Sequence, residues 1–86
     1  MPEISRFFGI IITMNFSDHN PPHIHASYGE HEATFNLQNN ELIEGSLPKT
    51  ATKLIKQWIK IHNVELLENW NLLKNSIHPI KITPLD

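Results

Sequence analysis

The 86-residue chain has no cysteine, so it can form neither a disulfide framework nor a thiolate zinc knuckle, and it offers no thiol nucleophile. Any zinc site must therefore be built from histidine and carboxylate. Long apolar runs are also missing: residues 10–12 make the longest, far short of a bilayer span. The start, Met-Pro-Glu-Ile-Ser-Arg, lacks the basic stretch and apolar core of a signal peptide. A cytoplasmic protein with no membrane partner is expected. A basic balance is absent too, and the formal net charge of −2 argues against broad electrostatic adhesion to nucleic acid, which depends on Lys and Arg neutralising phosphates. There is no repeat, linker or low-complexity segment. Residues 1–86 are expected to form one small domain, too small for a large internal pocket, with its sites in surface clefts or interfaces.

What the chain does have is a concentration of histidine. Three of its six histidines lie in Asp18-His19-Asn20-Pro21-Pro22-His23-Ile24-His25, around a rigid Pro-Pro step. On a strand, His23 and His25 point to the same face, because side chains alternate with a period of two.

Residues 7–16 read as a strand whose apolar face is Phe8, Ile10, Ile12, Met14 and Phe16. Residues 18–22 cannot continue it, since the prolines remove backbone donors and constrain the residues before them. If Gly29-Glu30 is a two-residue hairpin turn, Ile24 faces Phe35, Ala26 faces Ala33, His25 faces Thr34, His23 faces Asn36 and Ser27 faces Glu32. Every apolar residue then meets an apolar one. The histidines fall on the polar side of the sheet, away from the helix-packed core.

Leu42 and Ile43 suggest a short further strand, and Gly45-Ser46-Leu47-Pro48 ends it before a helix over 49–62, with Pro48 suited to the first helical position. The buried stripe of that helix is Leu54, Ile55, Trp58, Ile59 and His62. Opposite it run Lys49, Lys53, Lys56 and Lys60, four of the seven basic residues, spaced four, three and four apart. A second helix over 64–75 carries Leu66, Leu67, Trp70 and Leu73, with Ile77 beyond, and has Glu65 and Glu68 in its first turn, where the helix dipole favours acids. The tail, residues 80–83, alternates enough for an edge strand or extended arm. The expected fold is α+β: an antiparallel sheet of three to four strands with two C-terminal helices packed on one face.

The chain resembles the small bacterial family called domain of unknown function 4160. The resemblance runs nearly end to end, on Pro2-Glu3-Ile4-Ser5-Arg6-Phe7-Phe8-Gly9, the Asp18–His25 motif, Tyr28-Gly29, Gly45 with Leu47-Pro48, Trp58, His62, Glu65-Leu66-Leu67 and Asn69-Trp70. An aromatic is commoner in that family where Ile24 stands, a packing change that leaves the histidines untouched. The resemblance implies no established activity. It does imply a short protein often encoded beside a second small protein, in an arrangement similar to toxin–antitoxin pairs, and so a protein partner.

Several chemistries suit the histidines. His23 and His25, with His19 or Asp18, could ligate a divalent metal such as zinc and leave a position for an activated water. Without metal, His19, His23 and His25 could serve as general acid and base beside a ribose phosphate, with Tyr28 or a lysine stabilising phosphoryl charge. The plainer alternative is that the imidazoles only brace a rigid loop through hydrogen bonds. Lys49, Lys53, Lys56 and Lys60 could contact RNA or an acidic partner, or be a solvated helix face. Trp58 and Trp70 read as core, His62 as a capping or core residue, and His31 and His78 as surface residues, His31 beside Tyr28 across the turn. Glu30, Glu32, Glu41 and Glu44 would form an acidic edge that discourages strand aggregation or meets a basic partner. The leading expectation is one component of a two-protein toxin–antitoxin-like system acting through protein–protein binding, with the small cognate protein encoded alongside as partner and a homodimer as a further assembly. A histidine-based ribonuclease or metal-dependent hydrolase is the alternative, so the sequence leaves open whether the protein is an enzyme. A transcription regulator comes third, because no helix-turn-helix pattern with a basic recognition helix is present.

Overall fold

A computed structural model of the chain describes residues 2–15 and 19–86. Five strands, β1 (Glu3–Phe7), β2 (Ile10–Thr13), β3 (His23–Tyr28), β4 (His31–Asn36) and β5 (Leu42–Gly45), precede two helices, α1 (Lys49–Ile61) and α2 (Asn63–Lys74). The strands pair antiparallel in chain order as a meander. The α+β class is as expected, with five strands in place of three to four.

The extra strand comes from a turn that the alternation concealed. Phe8 and Gly9, at φ +49 and +79, make a left-handed two-residue turn that splits the expected single strand over 7–16 into β1 and β2. Phe8 therefore leaves the apolar face and is exposed, whereas Ile10, Ile12 and Met14 are buried as expected. Phe16 lies outside the described residues. A register shift between Glu3 and Ser5 turns Ile4 inward, so that Ile4, Ser5 and Phe7 are all buried.

The β3–β4 hairpin has the expected register at every pair, including Tyr28 opposite His31, and Gly29 takes φ +59 in its turn. The apolar face, with Ile10, Ile12, Ile24, Ala26, Ala33 and Phe35, joins Ala51, Ile55, Trp58 and Ile59 of α1 and Leu66, Trp70 and Leu73 of α2 in one core. His62 ends α1 and begins α2; its Nδ1 lies 2.7 Å from Glu65 Oε1, and its ring is 5.6 Å from Trp58. Pro48 sits one place before the expected first helical position, as the N-cap, and Glu65 is the acidic residue of the first turn of α2, without Glu68. Ile77 is exposed, not part of the buried stripe.

Residues 80–83 form an extended arm, not a strand. Ile82 is buried and its N–H donates to Ile4 O at 2.8 Å, and Thr83 O accepts from Trp58 Nε1 at 2.9 Å. Asn69, 2 % exposed, clasps the arm with its whole amide: Nδ2 donates to Ile80 O at 2.7 Å and Oδ1 accepts from Ile80 N at 2.9 Å. No helix is long and apolar enough to cross a membrane among the described residues.

Gly45 closes β5 at φ +78, where an added Cβ would collide with the Glu32 carbonyl oxygen and lie 3.0 Å from Ala33 Cα. That contact is backbone and cannot swing aside. Gly45→Ala should cost about 2 kcal/mol and loosen β5, read as a lowered urea midpoint and faster amide exchange at residues 42–45. An unchanged midpoint would contradict this packing.

Candidate functional site

Helices cover one face of the sheet, and the other is concave. Its groove has a volume of about 540 Å³ and is lined from four sides: Thr13 at the end of β2 and Asn15 after it, His19 and Pro21 of the loop, His23, His25 and Thr34 in the floor, and Ile43 and Glu44 of β5. Alternation explains the floor, since Thr13 opposes His25, His25 opposes Thr34 and Thr34 opposes Glu44, and opposed residues share a face.

The structure brings three candidate histidines into this groove. Ring centroids are 6.1 Å apart for His19 and His23 and 5.1 Å for His23 and His25, the latter pair edge to face. The three differ in setting: His19 is exposed, His25 half-buried and His23 only 7 % exposed. The burial of His23 corrects the expectation that both strand histidines stand clear of the helices. Its ring packs at 5.1 Å from Trp70 of α2, which reaches the start of β3.

Each strand histidine is oriented by hydrogen bonding. His23 Nδ1 donates to Pro21 O at 2.7 Å, across a loop that contains the cis Asn20-Pro21 bond. A carbonyl oxygen only accepts, so Nδ1 carries a hydrogen and the ring is turned by this bond. For His25, Asn15 Nδ2 donates to Nε2 at 3.3 Å, so Nδ1 carries the hydrogen and donates to Thr34 Oγ1, also at 3.3 Å. Thr34 was legible as the cross-strand neighbour of His25. Asn15 was not, because its approach depends on how β2 pairs with β3.

Other candidates lie elsewhere. Tyr28, proposed above to assist the histidines, alternates to the helix side, where with Phe8, Ile10, Pro48 and Leu54 it lines a separate hollow of about 210 Å³. The same period of two that joins His23 to His25 separates Tyr28 from them. Lys49, Lys53 and Lys60 are exposed on α1 and Lys56 is half-buried, and none of the four lines the groove. Asp18 lies outside the described residues. Among the described residues, no three His, Asp or Glu side chains are grouped to hold a metal ion. Trp58 and Trp70 are buried in the core as expected, and His31 and His78 are exposed.

No curated protein and no solved structure matches this chain. A family model does, over residues 9–71, a stretch that holds His19, His23 and His25, the groove and most of both helices. The chain belongs to the family described as Domain of unknown function (DUF4160).

Proposed function

We propose that this protein binds a partner protein through the uncovered face of its sheet, as one component of a two-protein toxin–antitoxin-like system. The observation that carries the reading is the groove itself: a two-layer domain whose outer sheet face is concave, about 540 Å³ in volume, and built from oriented side chains. An uncovered antiparallel face is ordinarily a flat solvated surface. Here the histidines of the floor are already held by Pro21, Asn15 and Thr34, so a partner meets groups whose ordering is complete before binding, which raises affinity.

The test is co-expression with the product of the adjacent gene. The two proteins should co-elute on size exclusion, and Thr34→Arg, which fills the groove from its floor, should separate them while leaving the fold intact by circular dichroism. His25→Ala should weaken binding about tenfold, a loss of about 1.4 kcal/mol. Two separate peaks for the unaltered pair would remove the reading.

The fixed orientation of the His23 ring also supports a second reading, acid–base cleavage of RNA in the groove, since a catalytic imidazole must be held in one orientation toward its substrate. A metal-dependent hydrolase would be the other form of that reading. Under either form, expression arrests growth and degrades RNA, and both effects vanish in His25→Ala.

A further inference from the structure

We propose that the outer edge of β5 takes up an extended, lysine- or arginine-bearing segment of a protein partner as a sixth strand. This names the chemistry of the partner in the reading above and rests on it.

The sheet order leaves two edges, β1 and β5. The β1 edge is met by the C-terminal arm through the Ile82-to-Ile4 hydrogen bond, and the charge of Glu3 is answered there by Arg6, which donates to both carboxylate oxygens at 2.8 and 3.3 Å and holds the Glu3 carboxyl below its usual pKa. The β5 edge has neither. Every residue from Leu42 to Gly45 is exposed, Leu42 and Ile43 at 41 % and 49 %, and no described segment pairs with its outer side. An edge strand presents every second N–H and C=O outward, which is the template for strand addition.

Charge selects the occupant. Glu41 and Glu44 are exposed on this edge, Glu32 is exposed on the neighbouring β4 and Glu30 in the β3–β4 turn, and none forms an ion pair among the described residues. Pairing β5 with β5 of a second copy would bring Glu41 and Glu44 of one copy beside those of the other at a strand spacing of about 5 Å, a repulsive arrangement. The glutamates that disfavour self-pairing favour a cationic strand. A register shift at Thr34 and Phe35 sets the side of approach, because it turns the consecutive residues Ile43 and Glu44 both toward the groove. Basic side chains of the added strand would therefore meet Glu44 on the groove side, and its apolar ones Leu42 on the other.

The probe is a fluorescent peptide of alternating lysine and valine, with an alternating glutamate–valine peptide as control. The lysine peptide should bind by anisotropy, slow amide exchange at residues 42–45, and bind more weakly as salt rises. The Glu41→Lys, Glu44→Lys double variant should lose about tenfold in affinity. Because altering β5 risks unfolding it, the decisive control is on the probe: N-methylation of alternate peptide residues, made in both phases, should abolish binding in the phase that faces β5. The inference is overturned if the lysine peptide does not bind, if both N-methylated forms bind undiminished, if protection falls outside β5, or if the unliganded chain pairs with itself through this edge. A complex with the adjacent gene product that tolerates the double variant also overturns it while leaving the partner reading standing, and separate elution of those two proteins removes that reading without altering what the peptide reports.

Discussion

Trp58→Ala should lower the stability of this protein by about 3–5 kcal/mol, a large part of the roughly 5–15 kcal/mol that holds a domain folded. Trp58 is fully buried, packs at 5.3 Å against Phe7 of β1, and donates from Nε1 to Thr83 O of the C-terminal arm. One side chain thus ties α1, the first strand and the arm together. Truncation leaves a cavity that the sheet and helix cannot both close, and the arm loses a donor. The melting temperature should fall by ~20 °C, and Trp58→Phe, which keeps a packed ring but strands the Thr83 carbonyl, should cost about 1–2 kcal/mol. Equal effects of the two variants would mean that packing contributes little, contrary to the structure.

Asn69→Leu is expected to be the second most damaging change, although the new side chain is apolar and of similar volume. The amide of Asn69 supplies both a donor and an acceptor to the backbone of Ile80. Leucine supplies neither, and two backbone groups lose partners at about 1–3 kcal/mol for each that stays buried. The arm should then detach, exposing the β1 edge that Ile82 covers. Native-state hydrogen exchange would show faster exchange at Ile80 and Ile82 together with a stability loss of about 2–3 kcal/mol. If Ile82 kept its protection, the arm would be held by something other than Asn69.

The parts of the fold that were legible are those set by near neighbours in sequence. The β3–β4 register followed from Gly29 and the requirement that Ile24, Ala26, Ala33 and Phe35 share a face; a slip of one residue would have put all four in water. The helices were legible to within two residues because the spacing of Ile55, Trp58 and Ile59, then of Leu66, Trp70 and Leu73, permits only one buried stripe each. The Phe8-Gly9 turn was hidden because Phe8 continues the apolar alternation of Ile10 and Ile12, and because phenylalanine is an unusual residue at φ +49. Asn69 stood in the family pattern, but nothing local revealed its hold on the arm: a polar residue in a helix reads as solvated until a returning chain covers it.

The candidate site divides in the same way. That His23 and His25 share a face, and that Thr34 stands opposite His25, were properties of the sequence alone, because strand alternation and a two-residue turn leave no freedom in either. Tertiary structure decided that Trp70 covers His23, that Asn15 reaches His25, that Tyr28 is shut out on the helix side, and that β5 forms an open acidic edge beside the groove. Those outcomes depend on where the ends of distant elements meet, which sheet curvature and helix packing set, and no local periodicity encodes that distance.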